Sequence, residues 1–162
     1  MQQKIRILFI CHGNICRSTM AEMVFKHMVK KEGLESEFYI NSAATSREEI
    51  GNGVHYGTRR KLAEVGIPCG EHYATQVTKA DYDKYDYLII MDSINGRELK
   101  WIIKDDSENK IHMLLDFAGR EGQSIADPWY TGNFDITYDD VVEGCEGLLK
   151  YLKKGIDKAI LS

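Results

Sequence analysis

Four short apolar runs punctuate the chain, and between them apolar residues recur at helical spacing. The first run, Ile5 to Ile10, is β-favouring and nearly free of polar residues, as expected of a strand covered on both faces of a parallel sheet. From about Ser18 to Lys31, the residues Met20, Met23, Val24, His27 and Met28 fall on an i, i+3, i+4, i+7, i+8 stripe, which predicts a helix. Thr19 and Glu22 have capping-box spacing at its start, and Gly33 stops it. Glu37 to Ser42 reads as a second strand, 43–53 as a polar loop, and Val54 to Val65 as a helix ended by Gly66 and Pro68. Thr78-Lys79-Ala80-Asp81 opens a short helix. Tyr87 to Met91 is a buried strand, Ile94 to Ile103 a helix after it, and Ile111 to Leu115 the fourth strand. The stretch 119–134 is a long loop, a length that usually marks function or disorder. The last helix is long, with Val141, Val142, Cys145, Leu148, Leu149, Leu152 and Ile156 on one face.

Repeated strand–helix alternation predicts an α/β fold: a parallel sheet with helices on both faces and right-handed crossovers. No repeat, low-complexity segment or linker divides the chain, so 1–162 is expected to form a single domain. Ligands in such sheets bind beyond the carboxyl ends of the strands, near the switch in strand order. The segment after the first strand therefore lies at the expected binding edge.

Composition narrows the function. With 43% hydrophobic and 28% charged residues, the 162-residue chain has the profile of an ordinary soluble globular protein. A net charge of −4 without a wide basic stripe argues against nucleic-acid binding. No apolar stretch approaches the roughly 20 residues that span a bilayer. The run from Ile5 to Ile10 is too short for a signal peptide and lacks a small-residue cleavage site, so a cytoplasmic protein without membrane contact is expected. Cys11, Cys16, Cys69 and Cys145 follow no zinc-ligand spacing, and in a reducing compartment they are expected to be thiols.

The candidate chemistry sits at Cys11-His12-Gly13-Asn14-Ile15-Cys16-Arg17-Ser18. A strand, a glycine-containing loop and a helix start form a cradle for an anion, because the first helical N–H groups lack intrahelical partners and the helix dipole favours negative charge there. A Cys-x5-Arg pattern followed by Ser or Thr arises by chance in such a chain only about once in sixty. Cys11 supplies a nucleophile, since a helix N-terminus and a nearby arginine favour thiolate over thiol. Arg17 can grip phosphate bidentately, and Gly13 lets the backbone approach it. Ser18 and Asn14 can donate hydrogen bonds, Ser18 to the sulfur and Asn14 to the loop; plain N-capping and turn formation are the alternatives. Asp127, beside Pro128 in the long loop, is the candidate general acid, which later activates the water that clears phosphocysteine. Trp129 and Tyr130 could line a slot for a phenyl ring, although alone such aromatics more often serve packing.

These residues carry a resemblance. Ile7 to Ser18, followed far downstream by Asp127-Pro128-Trp129-Tyr130, resembles a low-molecular-weight protein tyrosine phosphatase. The similarity runs along nearly the whole chain and includes Asn41-Ser42-Ala43-Ala44-Thr45, His72 with Gln76-Val77-Thr78, and Asp86-Tyr87 through Met91-Asp92. It implies a flavodoxin-like three-layer sandwich with a four-stranded parallel sheet. It also implies hydrolysis of phosphotyrosine and small aryl phosphates through a phosphocysteine intermediate, with neither metal nor other cofactor. Cys11 would be the nucleophile, Arg17 the phosphate clamp and Asp127 the acid. His12, Gly13, Asn14, Ile15 and Cys16 would form the phosphate-binding loop with Ser18, and Ser42 and His72 would brace it. In family members the cysteine matching Cys16 can form a reversible disulfide with the one matching Cys11. A phosphotyrosine-containing protein or an aryl phosphate is the implied partner, and a monomer or weak homodimer the implied state.

The chain also departs from that pattern. His12 stands where an apolar residue is more usual, which should alter cleft polarity rather than remove the chemistry. Thr19 replaces a common proline, and Asn41 a frequent aspartate. Glu48 and Glu49 occupy a loop where many members carry an aromatic residue beside the substrate ring, and an acidic wall would repel acidic peptides. Ile15 matches the tyrosine phosphatases; relatives acting on phosphoarginine carry threonine there. Arsenate reduction would need further cysteines close together, whereas Cys69 and Cys145 are isolated. A non-catalytic phosphate-binding module would be expected to have lost one of Cys11, Arg17 and Asp127.

Overall fold

The computed structural model describes residues 3–161. Strands β1 (Ile5–Cys11), β2 (Phe38–Ala44), β3 (Tyr87–Ile90) and β4 (Ile111–Met113) form one sheet in the order β2-β1-β3-β4. Every neighbouring pair is parallel. The helices are α1 (Arg17–Lys31), α2 (Tyr56–Glu64), α3 (Lys79–Lys84), α4 (Ser93–Leu99), α5 (Pro128–Thr131) and α6 (Phe134–Leu161). This is the expected flavodoxin-like α/β arrangement, with two cores on the two faces of the sheet.

The alternation along β1 explains its unbroken apolar character. Ile7, Phe9 and Cys11 enter the core beneath α1 and α6 with Met20, Val24 and Leu148. Leu8 and Ile10 point the other way, to Tyr82 of α3 and Leu99 of α4. Phe25 links the first core to both strands, edge-on to Phe9 at 5.8 Å and to Phe38 at 5.5 Å.

Several element bounds differ from the sequence expectations for identifiable reasons. Glu37 belongs to a 3-10 turn (Glu35–Glu37), and β2 runs on to Ala44, which pairs with Cys11. The expected helices 54–65 and 94–103 are shorter; after Leu99 the chain tightens, with the Ile102 and Ile103 amides both returning to the Leu99 carbonyl. The fourth strand stops at Met113, and Leu114–Ala118 winds into a 3-10 helix ended by Gly119 at φ 76°. Leu114 and Leu115 are apolar because α6 covers them. Gly147 makes that approach possible: a Cβ there would strike the Phe117 carbonyl.

The Thr19–Glu22 capping box does not form. Helix α1 already begins at Arg17, so Thr19 lies inside its first turn and its hydroxyl donates to the Cys16 carbonyl at 2.9 Å. Glu22, freed from capping, turns into the interior. Within the described residues no helix is long and apolar enough to cross a membrane.

This sheet order brings two strand ends side by side, since Ile10 of β1 is in register with Ile90 of β3. Residues just beyond them, Cys11 and Asp92, share the carboxyl edge where the strand order switches.

Candidate active site

Between β1 and α1 the backbone turns through Asn14 at φ 59°, a left-handed conformation that asparagine tolerates better than most residues. The turn wraps one end of a pocket of about 420 Å³, which Arg17, Asp127 and Trp129 also line.

Cys11 lies at the floor, 4% exposed. Its Sγ is 3.0 Å from Ser18 Oγ and accepts from the Asn14 amide at 3.3 Å. Asn14 donates through Nδ2 to Ser18 Oγ at 2.8 Å and to Ser42 Oγ at 2.9 Å. Its Oδ1 meets His72 Nε2 at 2.8 Å and accepts from the Thr75 amide at 3.3 Å. Ser42 in turn donates to Glu22 Oε1 at 2.5 Å. Glu22 thus accepts from Ser42, Ser42 and Ser18 both accept from Asn14, and Ser18 also accepts from the Cys11 thiol. Burial pushes the His72 pKa down, and Lys26 adds to this against the opposing pull of Glu22. The neutral ring with Nε2–H suits the Asn14 oxygen.

Arg17 is buried at the start of α1. Its Nη1 donates to Asp92 Oδ2 at 2.7 Å and to the Ile125 carbonyl at 3.1 Å, and Nη2 lies 3.4 Å from Asp127 Oδ2. Burial works against its charge, but Cys11, Asp92 and Asp127 together outweigh this and raise its pKa. Asp92 is itself locked as the N-cap of α4: Oδ1 accepts from the Asn95 amide at 2.8 Å while Asn95 Oδ1 accepts from the Asp92 amide at 3.2 Å. Asp127 caps α5 by accepting from the Trp129 amide at 3.0 Å. The long 119–134 loop thus contains a helical turn that aims this carboxylate into the pocket.

Cys16, the N-cap of α1, is a free thiol, as is every described cysteine. Burial first, then the negative charges of Cys11 and Asp127, push its pKa up to about 12, so it stays protonated.

The rim has two unlike walls. Trp129 and Tyr130 are exposed on one side, with Trp129 edge-on to His55 at 6.3 Å. His55 stacks on Phe134 at 5.5 Å, and its backbone amide donates to the Ile15 carbonyl at 2.9 Å, so one residue ties the 12–16 loop to the segment after Asp127. Glu48 and Glu49 also line the pocket. Glu48 meets His12 Nε2 at 3.0 Å, and the other ring nitrogen, Nδ1, meets Glu98 of α4 at 2.8 Å.

All the residues proposed from the sequence converge here: His12, Gly13, Asn14, Ile15 and Cys16 on the pocket wall, Ser18 and Ser42 behind it, His72 behind those. Sequence reasoning missed roles for Asp92, Glu22, Glu98 and His55. Asp92 carried a readable signal, an acidic residue directly between a buried strand and a helix start. Glu22 and His55 carried none beyond their residue types.

Known proteins resemble the chain along nearly its whole length. The family model for low molecular weight phosphotyrosine protein phosphatase matches residues 6–158. The low molecular weight protein-tyrosine-phosphatase YfkJ of Bacillus subtilis is 38% identical over 93% of this chain and 97% of its own. The low molecular weight phosphotyrosine protein phosphatase of Gallus gallus is 40% identical over 89% and 93% respectively. Among solved structures, that of Bacillus subtilis YfkJ superposes with a TM-score of 0.90 at 37% identity, covering 95% of this chain and 98% of that one. A Drosophila arginine phosphatase superposes with a TM-score of 0.83 at 29% identity, covering 92% and 98%.

Proposed function

The chain belongs to the low molecular weight phosphotyrosine protein phosphatase family, and from that premise we propose that it hydrolyses phosphotyrosine and small aryl phosphates through a phosphocysteine on Cys11. The observation that carries this reading is the convergence of Cys11, the Arg17 guanidinium and the Asp127 carboxyl on one pocket.

The Cys11 thiolate attacks phosphorus and forms an S–P bond as the bond from phosphorus to the aryl oxygen breaks. Arg17 and the loop N–H groups hold the non-bridging oxygens while charge redistributes among them. Asp92 and the Ile125 carbonyl fix the guanidinium plane, so little ordering remains to be done when phosphate arrives. Asp127 gives its proton to the departing aryl oxygen. In the second half, the same carboxylate takes a proton from water as the water oxygen attacks phosphorus and the S–P bond breaks. Ser18, its lone pair engaged by Asn14, donates to Cys11 Sγ whenever that sulfur carries charge, both before attack and as it leaves. None of these steps draws on a metal or other cofactor. The substrate is then a phosphoprotein or an aryl phosphate, met in the cytoplasm by a monomer or weak homodimer.

A second reading is phosphoarginine hydrolysis. The acidic rim of Glu48, Glu49 and Glu98 would suit a cationic leaving group, and the fold is shared with an arginine phosphatase; Ile15 argues the other way. Arsenate reduction finds less support, since Cys145 is wholly buried against the Ala21 carbonyl.

The test is hydrolysis of a phosphotyrosine peptide with chelator present, by the wild type and Cys11→Ser in parallel, with a phosphoarginine peptide beside it. Release of phosphate from phosphotyrosine by the wild type alone is expected. Equal rates in the two proteins would overturn the reading, and a preference for phosphoarginine would replace it with the second.

A further inference from the structure

Both side-chain hydrogen bonds of His12 lead away from the loop. It stands between two carboxylates from separate elements, Glu98 of α4 at Nδ1, 2.8 Å, and Glu48 of the 46–52 loop at Nε2, 3.0 Å. A neutral imidazole has one N–H, so it can satisfy one of these carboxylates and must turn a lone pair on the other. Only the imidazolium suits both.

The surrounding contacts hold this geometry. Thr45 Oγ1 donates to Glu98 Oε1 at 2.8 Å, which leaves Oε2 for the ring. The Ser46 hydroxyl and amide both donate to the His12 carbonyl, at 2.8 and 3.1 Å. On the far side Glu49 packs beside Gly13, where a Cβ would come within 3.4 Å of its Cγ. Three carboxylates, Glu48, Glu49 and Glu98, therefore flank the entrance, and His12 is the basic side chain set among them; Arg17 is already matched by Asp92 and Asp127.

We propose that His12 is a specificity-determining residue for this reaction: its imidazolium straps Glu48 to Glu98 across one side of the pocket mouth and sets the charge that the flanks of an incoming phosphorylated peptide meet. The inference rests on the phosphotyrosine phosphatase reading. With the strap closed, the entrance tolerates acidic residues beside the phosphotyrosine. With the ring neutral, one carboxylate is released, the rim gains a net negative charge, and basic flanks are preferred. Desolvation alone would lower the ring's pKa, but Glu48 and Glu98 outweigh it, so the ring titrates above the ordinary 6.5. The strap is accordingly intact below that value and opens as pH rises through the raised one.

Two phosphotyrosine peptides that differ only in carrying lysine or glutamate flanks, hydrolysed in competition, give the ratio of their kcat/KM values. Both peptides pass through the same chemical step, so the pH dependence of that step is common to them and cancels in the ratio. The expected result is a shift of about threefold toward the lysine-flanked peptide as pH rises. Its midpoint should coincide with the His12 ring titration followed by NMR. In Glu98→Gln, and again in Glu48→Gln, ring titration and specificity midpoint should move down together. A ratio that stays flat through the ring's titration, or a midpoint that does not follow the ring in these variants, would overturn the proposal while leaving the phosphatase reading intact. Hydrolysis of neither peptide would overturn both.

Discussion

Arg17 and Asp92, 75 residues apart in sequence, meet at 2.7 Å with side chains only 5% and 15% exposed. A buried guanidinium needs a fixed counter-charge, and Asp92 supplies it from a capping position that cannot rotate away without unwinding the start of α4. Asp92→Asn should keep the cap but lose the charge. We expect kcat/KM on an aryl phosphate to fall ten- to a hundredfold, matching the roughly 1.5–3 kcal/mol of a charge-assisted hydrogen bond, with a folded circular-dichroism spectrum. Unchanged kinetics would mean that phosphate alone orients Arg17.

Cys11→Ser should abolish turnover while phosphate still binds, because the loop N–H groups and Arg17 remain. Calorimetric titration with inorganic phosphate checks the binding. Loss of binding in a folded variant would give the sulfur a structural role as well.

Asp127→Ala should slow hydrolysis of phenyl phosphate by about 10²–10³-fold, yet slow esters with very acidic leaving groups far less, since only poor leaving groups need the proton. A plot of log kcat against leaving-group pKa distinguishes these. Parallel lines for the two proteins would assign the acid elsewhere.

Asn14 combines a left-handed backbone with hydrogen bonds to Ser18, Ser42, His72 and the Thr75 amide. Asn14→Ala should cost about 2–4 kcal/mol in denaturant unfolding, and Asn14→Gly about 1 kcal/mol less, because glycine accepts the φ without strain. Equal losses would show that the side-chain network alone matters.

His72 predicts an acid-side instability. Its folded pKa lies below 6.5 through burial, so the unfolded chain takes up its proton first. This contribution is complete above pH 6.5 and is lost as pH falls through the depressed folded value. The thermal midpoint should therefore drop between about pH 7 and 5, less steeply in His72→Asn. An unaltered slope in the variant would assign the dependence to the carboxylates.

Much of this site was legible along the chain. The apolar run of β1, the loop from Cys11 to Ser18 and the helical stripe after it are local features, and local sequence specifies them because strand, turn and helix start follow one another without long-range help. Asp127 stood out only as a candidate, since an Asp-Pro pair in a long loop also marks a plain turn. The resemblance to a phosphatase family extended that reading to Ser42 and His72.

What sequence could not supply were the partnerships whose members lie far apart in the chain. Glu22 read as half of a capping box, but the parallel pairing of β1 with β2 brings Ser42 within 2.5 Å of it, and a buried hydroxyl then outcompetes the cap. Asp92 acquired its role from the register of β1 with β3, which sets the two strand ends side by side. His12 looked like a polar substitution in an apolar position until Glu48 and Glu98 converged on its two nitrogens. Local sequence determined which groups stand at the end of β1, because backbone preference and hydrophobic period act over a few residues. Only the packed sheet decided which charges those groups would face, because the distances that govern electrostatics are set by strand order and not by position in the chain.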